Sequence, residues 1–201
     1  MSSAPSTSRS YRTIDLVTIA TLGVAFGVIY WGWGKAYEVP SEALGLIYPP
    51  LKGLTASPWL IAGVLGGLIV RKPGAALATE FIAAAVSTLV LGGTQWGWTV
   101  LASGLLQGLG AELAFLLFAY RRWTLGVACL SGALAATFEA IYEWYSYYPD
   151  WGLDHKLAYL GFFALSGVVV AGLGSWLLAR ALGRAGVLDA FPAGREHAGD
   201  G

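Results

Sequence analysis

The stretch GLIVRKPGAALATE, Gly67–Glu80, separates two apolar runs and decides how the chain is divided into helices. Two cations and a proline, Arg71–Pro73, interrupt a sequence that is otherwise apolar enough to cross a membrane. Proline is accepted at the first position of a helix, where its missing N–H is not needed. The pattern therefore predicts a membrane helix, a charged turn, and a second membrane helix that begins at Pro73. Glu80 is a lone carboxylate inside that second helix and requires its own explanation.

The composition of the whole chain indicates an integral membrane protein. Of its 201 residues, 56% are hydrophobic and 12% are charged, whereas about a quarter of the residues in a soluble domain are charged. The formal net charge is zero, which argues against a nucleic-acid-binding surface. The one cysteine, Cys129, allows no intrachain disulfide. We therefore expect an all-α membrane protein that forms a single domain.

Six apolar runs predict a six-transmembrane-helix bundle. Their approximate bounds are Ile14–Gly34, Thr55–Val70, Pro73–Leu91, Trp98–Tyr120, Thr124–Ser146 and Leu157–Ala181. The first run ends in bulky YWGWG and not in a small-residue cleavage site, so it is expected to be retained as a span. Residues 1–10 are predicted to be a disordered tail, 11–181 the membrane domain, and 182–201 a cytoplasmic C-terminal tail without a fold. The long, partly apolar loop after the first span could form a re-entrant or surface helix.

The positions of the cations predict the orientation. Lys and Arg are enriched in cytoplasmic loops because their translocation is unfavourable. With the N-terminus inside, nine cations are cytoplasmic: Arg9, Arg12, Arg71, Lys72, Arg121, Arg122, Arg180, Arg184 and Arg195. The outer loops hold Lys35, Lys52 and Lys156. Both termini are therefore expected in the cytoplasm.

The aromatic residues are distributed unevenly across this topology. Of the nineteen Trp and Tyr residues, all but Tyr11, Tyr120, Trp123 and Trp176 lie toward the outside. An interfacial belt is the ordinary explanation, but a belt should decorate both interfaces. Some of these rings are therefore predicted to line an outward-facing binding site.

Four carboxylates lie inside the predicted spans, with no intramembrane Lys, Arg or His to pair with them: Glu80, Glu112, Glu139 and Glu143. A charge near the bilayer centre costs about 2.5 kcal/mol or more, so such residues usually face the protein interior and serve a site. The acids are expected either to be protonated while the site is empty or to await a cationic ligand. A structural role is the alternative, since a protonated Glu can hydrogen-bond a neighbouring helix and Glu143 can reach the outer interface.

Helical spacing groups some of these residues. Glu139 and Glu143 are four residues apart and share a helix face, with Tyr142 beside them. A repeat of small residues predicts a groove that leads down the fourth span to an acid, along Gly104, Gly108 and Glu112. Close helix packing is the alternative for the glycines. A groove floored by acids and roofed by aromatic rings suits a flat organic cation, through ion pairing and cation–π contact.

The first span carries a small-xxx-small pair at Gly23 and Gly27. Such a surface lets another helix approach closely. The pair predicts either a docking face for a partner protein or internal packing against another span.

The sequence lacks the motifs that several functions require. The segment WGWGKAY hints at a phosphate loop, but Ile29 stands where a Walker A glycine is needed and Ala36 replaces Ser or Thr. His155 and His197 lie outside the spans, so neither a buried Ser–His pair nor a histidine metal cluster is expected. The sequence therefore predicts no enzyme, no bound ATP, no cofactor and no metal.

Four segments, in order along nearly the whole chain, resemble the YkoE-type S components. These are RKPGAALATE (Arg71–Glu80), GLLQGLGAE (Gly104–Glu112), IYEW (Ile141–Trp144) and AGVLDAFPAGRE (Ala185–Glu196). S components of this type are the substrate-binding subunits of energy-coupling factor (ECF) transporters for thiamine and its hydroxymethylpyrimidine (HMP) precursor. The resemblance implies a six-helix bundle in the bacterial cell membrane, with an outward site closed by the loop after helix one. It also implies a transmembrane coupling subunit and two ATPase subunits as partners, with helix one as the docking helix.

The matched motifs imply a ligand shell of Glu80, Gln107, Glu112, Tyr142 and Glu143. Either Glu80 or Glu112 would hydrogen-bond the aminopyrimidine, and another acid would face the thiazolium. Gln107 lies about 140° around the helix from Glu112, so the two cannot both point straight into one site. Further candidates are Glu139, on physical grounds alone, and, for stacking, Trp33, Trp59 and Trp96.

Two other functions stay open at this point. A proton-coupled exporter of aromatic cations would use the same acids and tryptophans, and it would transport without partners. A scaffold subunit would bind no ligand. Within the S-component interpretation, four carboxylates favour thiamine over HMP, because a neutral pyrimidine needs no countercharge.

Overall fold

The structure is a computed structural model that describes residues 10–89 and 93–195. The predicted disordered tail, up to residue 9, lies outside this range, as do residues 90–92 at the end of the third predicted span and 196–201 at the C-terminus. Across the described ranges the secondary structure is helical, as the composition and the apolar runs predict. The chain is an all-α membrane protein.

Nine α-helices follow one another in the described residues: α1 Thr13–Ala36, α2 Glu38–Ile47, α3 Ile61–Val70, α4 Ala75–Leu89, α5 Thr99–Leu117, α6 Leu125–Ser146, α7 Leu153–Ser166, α8 Gly174–Arg184 and α9 Pro192–Arg195. Two 3₁₀ segments, Pro49–Thr55 and Ser57–Leu60, connect α2 to α3. A π-helical segment, Gly167–Leu173, joins α7 to α8 without a break. The long loop predicted after the first span is thus helical for most of its length.

Four helical stretches of the described chain are long and apolar enough to cross a membrane: Thr13–Ala36, Thr99–Leu117, Leu125–Ser146 and Leu153–Arg184. A fifth candidate is the pair Pro49–Thr55 and Ser57–Val70, which is bent by 44°. Helix α4 is apolar but has only 15 residues. The described residues therefore hold four to five candidate spans, and α4 is a shorter apolar helix beside them.

The charged turn in the opening stretch has a specific backbone geometry. Arg71 adopts a left-handed conformation with φ 57°, and its N–H donates to the Gly67 carbonyl at 3.0 Å, which ends α3. Gly74 has φ 87°, a value that favours glycine. A residue in this conformation cannot continue a right-handed helix, so α4 begins at Ala75 and not at Pro73 as predicted.

Helix α1 packs against α4 through its two small residues. A Cβ atom on Gly23 would lie 2.5 Å from the Ile82 side chain, and one on Gly27 would lie 2.6 Å from the Val86 side chain. Both glycines are buried. The prediction that they form a free docking face is therefore corrected in favour of its alternative, internal packing.

Helix α5 also uses its glycines for close packing. Gly104 contacts the Ala84 side chain, and a Cβ on Gly108 would lie 3.0 Å from Leu77 Cα. Helix α4 therefore fills the strip along α5 where a groove toward Glu112 was predicted. The groove prediction is wrong, because the missing side chains admit another helix and not a ligand.

The described part of the C-terminal tail is folded, although the sequence assigned no fold to it. Leu188 and Phe191 are each only 3% exposed. The guanidinium of Arg12, just before α1, lies 5.6 Å from the Phe191 ring centroid. This segment thus packs against the end of the bundle where α1 begins.

Candidate functional site

A cavity of about 430 Å³ lies among the helices, with wall residues from α1, α2, α4, α5, α6, α7 and the 3₁₀ segments. Small-molecule sites are typically 300–1,000 Å³ in volume and combine apolar walls with a few polar groups. The wall of this cavity combines acids of α6 with a set of aromatic rings.

The α6 acids are the deepest charged groups of the cavity wall. Glu139 is 3% exposed and Glu143 follows one turn later on the same face. Among the described residues, Oε2 of Glu139 has no hydrogen-bond partner. The polar side chains of Ser103 and Gln107, on α5, lie beside Glu139. A buried acceptor without a partner costs about 1–3 kcal/mol, so this end of the cavity is suited to a ligand that brings hydrogen-bond donors.

Glu143 lies nearer the end of α6 and is held by a neighbouring phenol. The hydroxyl group of Tyr159, which is 1% exposed, donates a hydrogen bond to Oε2 of Glu143. This contact fixes the carboxylate against α7. Among the described residues, neither α6 acid forms an ion pair with a cation.

Three aromatic rings form a continuous cluster in the cavity wall. Ring centroids are 4.9 Å apart between Tyr37 and Trp59, and 5.2 Å apart between Trp59 and Trp96. The indole N–H of Trp59 donates to the Tyr30 carbonyl at 3.2 Å, which fixes its ring. Ring faces carry a negative quadrupole and attract cations, so this cluster and the α6 acids favour the same class of ligand.

The phenols near the cavity stay protonated at neutral pH. Burial raises the pKa of Tyr147 to about 12, and it also raises the pKa of Tyr37 and of Tyr148. These hydroxyl groups therefore add hydrogen-bond donors and acceptors to the wall without adding charge.

The mouth of the cavity carries exposed charged residues. Glu38 and Glu42 belong to α2, and Lys52 belongs to the first 3₁₀ segment. Lys52 Nζ lies 3.1 Å from Glu42 Oε1, and Gln95 donates to Glu38 at 3.4 Å. Lys52 is the one cation among the described residues that line the cavity.

Glu80 lies behind the cavity wall and not in it. Its Oε2 accepts hydrogen bonds from the Tyr30 hydroxyl at 3.0 Å and from the Gly63 N–H at 2.7 Å. The Tyr30 oxygen in turn accepts from the Ala62 N–H at 2.9 Å. Because the first N–H groups of a helix have no partner within it, Glu80 and Tyr30 together cap the start of α3.

Glu112 caps the start of α4 in the same way. Its Oε1 accepts from the Gly74 N–H and from the Tyr120 hydroxyl, each at 2.6 Å. Its Oε2 accepts from the N–H groups of Ala76 and Leu77, at 3.0 and 3.3 Å. Glu112 therefore lies at the RKP turn, away from the cavity.

Some of the remaining predicted site residues line the cavity and others do not. Gln107, Trp59 and Trp96 line the cavity. Tyr142 and Trp33 do not: the Tyr142 ring packs at 6.3 Å from that of Tyr147, and the Trp33 indole donates to the Thr55 carbonyl at 3.2 Å. Of Gln107 and Glu112, which could not both point inward, Gln107 is the one that faces the cavity.

Ser103 and Tyr37 are among the wall residues that the sequence did not predict. Ser103 is four residues before Gln107 and so shares its helix face, a spacing that could have identified it. Tyr37 follows α1 directly and had no signal beyond the general excess of outer aromatic residues. Within the described ranges, no group of three or more His, Cys, Asp and Glu residues is placed to hold a metal ion.

Comparisons with known proteins match this architecture. Residues 14–138 match the family described as the ABC-type cobalt transport system, permease component. The chain is 32% identical over 190 residues to the "Putative HMP/thiamine permease protein YkoE" of Bacillus subtilis (strain 168), which covers 94% of this chain and 92% of that protein. It is also similar to a solved S-component of an ECF transporter, with a TM-score of 0.77, 29% identity and 93% of both chains covered.

The chain is thus a transport protein of the ECF S-component class. Its helices surround a cavity whose inner acids have no ion-pair partner among the described residues. Within that class, the chain belongs to the YkoE family. It is a substrate-binding subunit and a multi-pass protein of the cell membrane, and its relatives are transporter subunits and not enzymes. The comparisons do not support the alternative of a proton-coupled exporter.

Proposed function

We propose that this chain captures thiamine or HMP from outside the cell and delivers it to the cytoplasm as part of an ECF importer. The observation that carries the proposal is the pair Glu139 and Glu143, which line the cavity and form no ion pair with any cation of the described ranges. The name of the Bacillus subtilis relative gives the same ligand class. Thiamine joins a thiazolium cation to an aminopyrimidine, and both rings are flat.

The cavity offers complementary groups for each half of thiamine. At the buried end, Glu139 has an oxygen with no partner in the described part of the chain, and Gln107 offers both a donor and an acceptor. We assign the aminopyrimidine to this end. Glu143 and the Trp59–Trp96 rings would then face the thiazolium, through charge and cation–π attraction.

This assignment changes the roles expected for two acids. Glu80 and Glu112 were predicted to contact the ligand, but Oε2 of Glu80 and both oxygens of Glu112 accept from the first amides of α3 and α4. We propose that Glu80 acts indirectly, by fixing Tyr30 in the cavity wall. Glu112 has a structural role in this proposal.

Thiamine is the preferred ligand of the two. HMP is neutral and needs hydrogen bonds but no countercharge, whereas the cavity holds two inner carboxylates and two more at its mouth. A cation therefore gains more from this site than a neutral pyrimidine does.

We further propose six spans with both termini in the cytoplasm. Nine of the twelve Lys and Arg residues then lie inside, as the positive-inside rule requires. The cavity mouth, beside the end of α1, opens to the outside in this orientation. In this proposal the short helix α4 is the third of the six spans along the chain, and residues 11–181 form the membrane domain.

The partners that this proposal requires are a transmembrane coupling subunit and two ATPase subunits. The chain has no Walker A motif, so the energy for release must come from another protein. Because Gly23 and Gly27 face α4, we place the docking surface elsewhere. A different side of α1 carries Val17, Val24 and Val28, which are 49–57% exposed, and it is available to lipid or a partner helix.

Tryptophan fluorescence of the purified protein in detergent tests the ligand. Because Trp59 and Trp96 line the cavity, thiamine should quench the emission saturably at submicromolar concentration. Prior saturation with HMP should shift that titration to higher thiamine concentrations. No saturable change with either compound would contradict the proposal.

A further inference from the structure

The charges at the cavity mouth point to selectivity against phosphorylated substrates, an inference that rests on the proposed function. Both thiamine and HMP end in an alcohol, and each alcohol has a phosphate ester that keeps the same ring system. A site that contacts only the rings would bind the alcohol and its phosphate ester with similar affinity. A difference in affinity between the two must come from charged groups that lie next to the phosphate.

The mouth carries two carboxylates and one ammonium group. Glu38 and Glu42 lie on successive turns of α2, and Glu42 is 71% exposed at its side chain. Lys52 is held by Glu42 at 3.1 Å, and its methylene groups pack over Gly45, where a side chain on α2 would obstruct it. The one cation among the described residues of the cavity wall is therefore already paired. Lys35 borders an adjoining pocket together with Glu38, but its ammonium group lies 5.6 Å from the Trp31 ring centroid. The described residues of the cavity wall thus give the mouth a net negative charge.

Backbone donors do not replace the missing cations. Helix N-termini often bind phosphate through free N–H groups, and α5 begins beside the mouth with Val100 in the wall. The N–H of Val100 donates to Gly97, and that of Leu101 donates to Trp98. These two amides are already used within the turn.

We propose that Glu38 and Glu42, with Lys52 sequestered, make the site selective for the free alcohol and reject its phosphate monoester. An ester bound with its rings among the aromatic cluster would place its phosphate against carboxylates. Like charges placed together in an interface are unfavourable. We expect the monoester to bind at least about 100-fold more weakly than the alcohol.

Isothermal titration of the full-length protein in detergent tests this, with thiamine and thiamine monophosphate as the two probes. The wild type should bind thiamine and show the expected preference. The double variant Glu38→Gln, Glu42→Gln, which removes two negative charges and frees Lys52, should lower the ratio of the two affinities about tenfold or more. The matched control Asp150→Asn removes an exposed acid that is not in the cavity wall, and it should leave the ratio unchanged.

The outcomes separate the two proposals. Similar affinities for thiamine and its monophosphate in the wild type would overturn the selectivity and leave the proposed function intact. An unchanged ratio in the double variant would also overturn it, because the discrimination would then not come from the mouth. Binding of neither thiamine nor its monophosphate would overturn this inference, and a further absence of HMP binding would overturn the proposed function as well.

Discussion

The acids of α6 and those of α4 and α5 look equivalent in the sequence but lie in different surroundings. Glu139 and Glu143 face a cavity, and Oε2 of Glu139 lacks a partner in the described chain. Glu112 accepts four hydrogen bonds, and Glu80 accepts two at Oε2, although its Oε1 also lacks a partner in the described chain. The difference teaches that an intramembrane carboxylate has two uses, to bind a ligand or to cap a helix that starts inside the protein.

The largest expected effect is the loss of stability when Glu112, one of the two capping acids, is replaced. Replacing Glu112 by Ala removes the acceptor for three backbone N–H groups and a hydroxyl. Each buried donor left without a partner costs about 1–3 kcal/mol, so the free energy of unfolding should fall by about 3 kcal/mol or more. Thermal unfolding in detergent measures this. Tyr120→Phe is the control, since it removes only one of the four bonds and should cost less.

The next largest effect is the loss of thiamine affinity when Glu143, one of the two cavity acids, is replaced. Glu143→Gln keeps the shape of the side chain but removes its charge, so thiamine affinity should fall about 10- to 100-fold, as for loss of a charged partner. HMP lacks the thiazolium and should lose less. Competition between the two ligands on the variant measures both. An equal loss for thiamine and HMP would place Glu143 at the pyrimidine and reverse the orientation proposed for the ligand.

A smaller effect separates packing glycines from surface glycines on the same helix. Gly27→Ala would place a methyl group 2.6 Å from Val86, and such overpacking costs about 1–3 kcal/mol. Gly32→Ala meets no atom within 4 Å, and the higher helix propensity of Ala should stabilise α1 by up to about 1 kcal/mol. Melting temperatures of the two variants should therefore shift in opposite directions. Loss of coupling-subunit binding by Gly27→Ala at unchanged stability would restore the docking prediction.

The smallest effect concerns Tyr30, which joins the two regions. Tyr30→Phe leaves the ring in the cavity wall but removes the hydroxyl between Ala62 and Glu80. Stability should fall by about 1–2 kcal/mol, while thiamine affinity should change less than about threefold. If affinity falls strongly instead, the phenol contacts the ligand directly and Glu80 belongs to the site.

Much of the fold could be predicted because its cause is local. Runs of apolar residues and the charged turn at Arg71–Pro73 place helices near all six predicted positions. Helix α4 was predicted too long at its start, because the left-handed conformation of Gly74 is not visible in an apolar pattern. The packing of Leu188 and Phe191 was not predicted either, because the tail is too short to show a hydrophobic periodicity.

The site was harder to predict because its members come from separate helices. The spacing of Glu139 and Glu143 correctly placed both on one face, and the structure brings Gln107 beside them. Spacing alone could not show that α3 and α4 begin next to Glu80 and Glu112, since a capped amide belongs to another part of the chain. Motif resemblance identified the family, but it does not distinguish a ligand contact from a helix cap.

The most direct test measures thiamine affinity and thermal stability together for two isosteric variants, Glu139→Gln and Glu112→Gln. The account predicts that Glu139→Gln lowers affinity at least about tenfold with little change in melting temperature. It predicts that Glu112→Gln lowers the melting temperature, because the new amide N–H₂ would face backbone donors, while the affinity of the folded protein stays within about threefold. The opposite pattern, with affinity lost in Glu112→Gln and kept in Glu139→Gln, would contradict the division between cavity acids and capping acids.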